Sequence, residues 1–134
     1  MVINHINVIV KSLARSRPFF EDFLGLAPHS SLDGAYVTAD GEPLLIALEF
    51  PHAKDPIPDD RHQFGRAVVF EVDSIAGVIR RCRDLGLQPV EQVGPGQERP
   101  LRGETPARLS VRDPDGNLWQ FIEQQPLAAT GATP

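Results

Sequence analysis

A single cysteine, Cys82, among 134 residues excludes an internal disulfide framework. No apolar run approaches the roughly 20 residues that cross a bilayer, and the first residues lack the basic-then-apolar layout of a signal peptide. A reducing cytoplasm is therefore the expected location. Basic residues are also scarce, with 13 against 18 acidic ones and a formal charge of −5, which opposes a broad phosphate-binding surface. Nucleic acid and membrane are not expected partners. Arg80, Arg81 and Arg83 cluster on a helical segment whose other face is apolar, so they read as its solvated side. No glycine-rich phosphate loop and no serine-nucleophile motif is found.

What is present is a repeat. Val2 to Val10 is an apolar strand, and Ser12 to Leu24 a helix offering Leu13, Phe19, Phe20, Phe23 and Leu24 to one side, closed by Gly25. Pro18 has to fall in the first turn or just before it. Arg66 to Val72 is a second strand, followed by a helix capped by Asp73 or Ser74, with Ile75, Val78, Ile79, Cys82 and Leu85 at helical spacing and Gly86 at its end. Both helices close in Leu-Gly-Leu. Cys82 lies in the apolar stripe, which argues against a catalytic thiol.

Three strands are expected after each helix. In the first half they are Pro28 to Ser31, Ala35 to Ala39 and Leu44 to Phe50; in the second, Gln88 to Val93, Ala107 to Arg112 and Asn117 to Gln124. The pattern is βαβββ twice, an α+β fold of two modules, 1–50 and 64–125, within one domain spanning 1–125. Residues 51–63, rich in Pro and Asp and holding His52 and His62, read as a linker. Gly94 to Pro106 reads as a long loop, and 126–134 as a flexible tail. The last strand enters through Asp113-Pro114-Asp115-Gly116-Asn117, a tight turn by its residue chemistry.

Strand alternation assigns faces. Ile6, Val8 and Val10 should lie under the first helix, leaving His5, Asn7 and Ile9 opposite; Val68, Phe70 and Val72 should lie under the second, leaving Ala67, Val69 and Glu71 opposite. Trp119 and Phe121 should be core. His5 and Ala67 then occupy matching positions of the repeat. Arg108, Ser110 and Arg112 share one face of their strand, where a guanidinium can grip an anion.

Asn4-His5-Ile6, Phe19-Phe20 through Leu24-Gly25-Leu26, Val69-Phe70-Glu71-Val72-Asp73 and the Asp113 to Asn117 turn with its strand together resemble the vicinal oxygen chelate superfamily. That superfamily includes glyoxalases, bleomycin-resistance proteins, extradiol dioxygenases and fosfomycin-resistance thiol transferases. The layout from Gly34 to Leu48 with its Pro-rich linker is most similar to the fosfomycin-resistance branch. The resemblance implies two curved sheets around a groove, lined by His5, Asn7, Tyr36, Glu49, Ala67, Glu71, Ser110 and Gln120, and it implies a homodimer; by its strand face Arg108 is a further expected ligand contact. Metal-dependent members hold a divalent cation with a His on the first strand of each module and a Glu on the last strand of one or both. Mapped one position at a time, these fall on His5, Ala67, Gln120 and, in the first module, a position near Ala47.

Only His5 is a strong ligand in that set, and catalytic sites usually keep three. The expectation is a degenerate metal site and a small organic molecule bound in the groove, with no metal and no cofactor. The alternative is a lyase, dioxygenase or thiol transferase holding a divalent ion weakly through a rearranged set that recruits Glu49 or Glu71. A third is metal-free catalysis with His5 or Glu71 as base.

Overall fold

The structure, a computed structural model, describes residues 1–38, 41, 43–49, 67–94 and 97–123. The expected linker, with His52 and His62, and the expected tail lie outside the described residues, as do Ala39, Phe50, Arg66 and Gln124. The chain divides into two compact units, Met1–Asp60 with Asp113–Asn117, and Arg61–Arg112 with Leu118–Pro134.

In the first unit the strands are β1 (His5–Val10), β2 (Ala27–Pro28), β3 (Ala35–Val37) and β4 (Leu44–Glu49). They form a sheet in the order β1-β4-β3-β2, with β1 parallel to β4 and the other pairs antiparallel. Helix α1 (Leu13–Arg17) begins where the Ser12 hydroxyl accepts the Arg15 N–H at 3.3 Å. A hydroxyl at that position satisfies an amide that the helix itself cannot.

The expected helix from Ser12 to Leu24 is broken into two kinds of turn. Pro18 has no N–H to continue the α ladder, and Pro18–Phe23 is wound as a π-helix, with the Leu24 N–H reaching Phe19 O at 2.9 Å. The wider turn still presents Phe19, Phe20 and Phe23 to the sheet, all three at most 3% exposed. Gly34, at φ +80°, precedes β3, and a Cβ there would stand 3.0 Å from the Ala47 carbonyl oxygen. Glycine is therefore needed for both the backbone angle and the close approach.

The turn from Asp113 to Asn117 belongs to this unit. The Asp113 carboxylate accepts the N–H groups of Asp115 and Asn117 and the Asn117 side-chain amide, each at 2.9 Å. The Asn117 amide also donates to Ile9 O at 2.9 Å, and Asp115 Oδ2 accepts from Lys11 N–H at 3.3 Å and from the buried Ser16 hydroxyl at 3.4 Å. Arg15 donates to Pro114 O at 2.6 Å. The end of β1 and the start of α1 are held by this turn.

The second unit is a five-stranded sheet, β5 (Val68–Val72), β6 (Val90–Gly94), β7 (Gln97–Pro100), β8 (Arg108–Arg112) and β9 (Leu118–Glu123), ordered β5-β9-β8-β6-β7. β5 runs parallel to β9. Helix α2 (Ile75–Leu85) is capped by Ser74, whose hydroxyl accepts the Gly77 N–H at 3.1 Å, and it ends at Gly86 at φ +70°. Ile75, Val78 and Cys82 are buried against the sheet. Burial pushes the Cys82 thiol up to about 11, so it is held as an unreactive thiol.

β7 falls inside the segment expected to be a loop. Its pairing with β6 is marked by Glu91 opposite Arg99, joined by an ion pair at 2.8 Å, rather than by apolar alternation. Trp119 and Phe121 are 1% and 3% exposed, and Phe70 stacks on both at 6.0 and 5.8 Å. The expected α+β class with two β-rich, helix-backed halves is what the structure has.

Candidate functional site

Strand pairing fixes which residues share a face, because directly opposed residues point the same way. In the first unit Phe20 packs on Tyr36 with ring centroids 5.2 Å apart, which marks the helix side. Tyr36 pairs with Leu45, and Leu45 with Ile6, so that side carries Ile6, Val8, Val10, Leu45, Ala47 and Glu49. The helix-free side carries His5, Asn7 and Ile9 from β1, Leu44, Ile46 and Leu48 from β4, and Ala35 from β3.

Two expected groove residues are thereby corrected. Tyr36 is 2% exposed and packed under Phe20, because its partner in the ladder is the core residue Leu45. Glu49 lies on the helix side, where its carboxylate accepts the Leu13 N–H at 2.9 Å. A carboxylate at a helix start is stabilised by the unpaired amides there. Glu123 makes the corresponding contact in the second unit, accepting the Ile75 N–H at 3.3 Å.

Those paired glutamates also set the repeat. Val10 stands opposite Glu49, and Val72 opposite Glu123. Counting back along each ladder matches His5 with Ala67, Asn7 with Val69 and Ile9 with Glu71, and it matches Ile46, not Ala47, with Gln120. The equivalent of Gln120, expected near Ala47, is thus Ile46, which lies on the opposite face from Ala47 because an alternating strand changes face with every step.

In the second unit the helix-free side carries Val69 and Glu71 from β5, Leu118, Gln120 and Ile122 from β9, and Arg108, Ser110 and Arg112 from β8. Its polar residues fall into two groups. Toward β6 and β7 they satisfy one another: the fully buried Ser110 hydroxyl donates to Gln92 Oε1 at 3.1 Å, the Gln92 amide donates to Gln97 O at 3.3 Å, and Arg112 reaches over β6 to the Glu98 carboxylate. Toward β5, no side-chain hydrogen bond or ion pair among the described residues involves Glu71, Gln120 or Arg108. In the first unit Asn7 is likewise unpaired among the described residues, while His5 Nδ1 lies 2.8 Å from Asn4 Oδ1. The Gln92–Ser110 pair and Glu98 were not anticipated, since only the register of β6 and β7 brings them to this face.

A family model described as the Glyoxalase/Bleomycin resistance protein/Dioxygenase superfamily matches residues 2–121. The chain belongs to this superfamily. No curated protein matches the sequence. Among solved structures, an antibiotic binding protein, TnmS3 of Streptomyces sp. CB03234, is 14% identical, with a TM-score of 0.63 over 92% of this chain and 95% of that one. The fosfomycin resistance protein FosX of Listeria monocytogenes is 16% identical, with a TM-score of 0.59 over 90% and 91%. A glyoxalase/dioxygenase from Nostoc punctiforme is 17% identical, with a TM-score of 0.63 over 92% and 91%. At these identities the likeness is one of fold.

The resemblance maps divalent-ion ligands onto one position of the first strand and one of the last strand in each half. The four positions are His5, Ile46, Ala67 and Gln120, of which two have no donor atom and one is a neutral amide. An amide oxygen lacks the charge that offsets dehydration of a divalent ion. Among the described residues no three His, Cys, Asp or Glu side chains are grouped as a metal site. No helix among them is long and apolar enough to cross a membrane.

Tyr36 provides a direct check on its corrected placement. Burial first, and then the negative charges of Glu21 and Asp33, raise its pKa above the usual 10.0, against an opposing effect of Arg17. As the chain has one tyrosine, its ultraviolet titration reports this residue alone. The native midpoint is expected above that of the urea-unfolded chain. A folded pKa raised in this way contributes stability below the unfolded pKa that is lost as pH rises through the folded one. A native midpoint equal to the unfolded one would place Tyr36 in solvent.

Proposed function

We propose that this superfamily member binds small organic molecules on the helix-free face of a sheet and does so without a divalent ion at the positions to which the resemblance maps metal ligands. The observation that carries this reading is the juxtaposition on such faces of unpaired polar side chains with aliphatic ones. Asn7 stands beside Ile46 across the β1–β4 ladder, and Gln120 shares its face with Leu118 and Ile122. Polar groups without protein partners orient a ligand, and the aliphatic surface supplies the burial that holds it. In the first unit ligand-contacting roles are assigned to His5 and Asn7; in the second they are assigned to Glu71, Arg108 and Gln120, with Ser110 and its partner Gln92 forming a fixed polar floor. Antibiotic binding by TnmS3, a protein of the same fold, is compatible with this use of the sheet.

Two measurements test it. Addition of Zn²⁺, Mn²⁺ or Ni²⁺ is expected to move the melting temperature by no more than about a degree. A site saturated at a hundred times its Kd would add about 2.7 kcal/mol, a shift of several degrees. Titration of ¹⁵N-labelled protein with neutral 2-naphthol is expected to shift the side-chain amides of Asn7 and Gln120. A large metal-induced rise in melting temperature would overturn the metal-free part, and unmoved amides the ligand part.

A further inference from the structure

We propose that the helix-free face of the second unit recognises a zwitterionic, amphipathic ligand of the peptide type. Its anionic end is taken by Arg108, its ammonium end by Glu71 and its apolar middle by Ile122. The proposal rests on the small-molecule reading above and narrows it to a chemical class.

The register places Glu71 and Arg108 on either side of Ile122 in one row, since each is directly opposite it. Neighbouring strands lie roughly 4.8 Å apart, so the two charged residues start about 10 Å from each other. Both are exposed, and neither side chain has a hydrogen bond or ion pair among the described residues. The rest of this sheet behaves differently. Arg99 is joined to Glu91, and Arg112 spans one intervening strand to reach Glu98. Arg108 and Glu71 are also separated by one strand, yet they stand apart with an aliphatic residue between them.

A charge of each sign flanking an apolar patch is complementary to a molecule with the opposite order of charges. Two peptide residues span at most about 7 Å. A charge-assisted contact of about 2.8 Å at each end brings a dipeptide within reach of both side chains. Gln120, next along β9 on the same face and also unpaired, has both a donor and an acceptor for the ligand's central amide. A ligand with only an anion would leave Glu71 facing it, and one with only a cation would meet Arg108.

The test is an NMR titration of the ¹⁵N-labelled full chain with leucyl-leucine, N-acetyl-leucyl-leucine, leucyl-leucinamide and neutral 2-naphthol. Leucyl-leucine is expected to shift the Gln120 amide and the backbone of β5, β8 and β9, and blocking either end should weaken it about three- to tenfold. Arg108→Gln should erase the penalty for amidation and leave the penalty for acetylation. Glu71→Gln should do the reverse. Both positions are exposed, and unchanged melting temperatures would confirm that the variants fold. If the capped dipeptides bind as well as the free one while 2-naphthol still shifts these strands, the zwitterion proposal fails and the small-molecule reading stands. If each substitution abolishes both penalties together, Arg108 and Glu71 act as an internal ion pair and the proposal fails. If no probe shifts these strands, the small-molecule reading fails and takes the proposal with it.

Discussion

Replacing Asp113 with alanine is expected to destabilise the protein by about 3 kcal/mol, the sum of donors left unmet at a buried position. Asp113 is 5% exposed and its carboxylate accepts from two backbone N–H groups and from the Asn117 side chain. Removal would leave those donors facing a cavity rather than water. The damage should spread, because Asn117 also donates to Ile9 O and Asp115 accepts from Lys11 and Ser16. Asp113→Asn keeps one oxygen but turns an NH₂ group toward other donors, so it should recover part of the loss at most. Urea denaturation followed by tryptophan fluorescence measures this. A cost below about 1 kcal/mol would mean that the turn contributes no more than an ordinary surface loop.

The importance of that turn was legible from its residue types, since Asp, Pro, Gly and Asn each have a separate reason to be there. The faces of β1 and β5 were legible as well. In β1 the burial sequence is exposed, intermediate, exposed, buried, exposed, buried, the alternation that His5 to Val10 announces. β4 was not readable in this way. Leu44 to Leu48 is apolar at every position, so the sequence offers no period from which to choose a face; Glu49 was assigned to the wrong one, and the equivalent of Gln120 could be placed only near Ala47. The pairing with β1 supplies that register only after folding. Tyr36 was misread for a related reason. β3 has three residues, too few for an alternation, and its phase is set by the turn through Gly34 and its bond to Ala47.

The π-helical turn and β7 show two further limits. The position of Pro18 marks where an α ladder must fail, but the spacing of Phe19, Phe20 and Phe23 fits an α-helix just as well, so the wider turn is not encoded in periodicity. β7 reads Gln-Glu-Arg-Pro and has no apolar side. It is a strand because β6 provides a partner and because Glu91 and Arg99 meet across the pair. Tertiary contact outweighed local propensity there.

Adjacent residues of β9 should respond in opposite ways to the same substitution. Trp119→Ala is expected to cost about 3–5 kcal/mol, the usual range for deleting a buried large aromatic side chain. Trp119 is 1% exposed and stacks on Phe70, so its loss opens a cavity between sheet and helix. Gln120→Ala removes a side chain that has no hydrogen-bond partner among the described residues, and its stability should change by less than about 0.5 kcal/mol. Binding is expected to reverse the order. Gln120→Ala should weaken a ligand that contacts the helix-free face, by roughly 1 kcal/mol for a lost neutral hydrogen bond. A milder change, Trp119→Phe, should leave that affinity within about twofold under conditions where the variant stays folded. Paired unfolding and titration measurements on the variants decide it. If Gln120→Ala unfolded the protein, or if Trp119→Phe rather than Gln120→Ala abolished binding, β9 would be presenting the other set of side chains to the ligand.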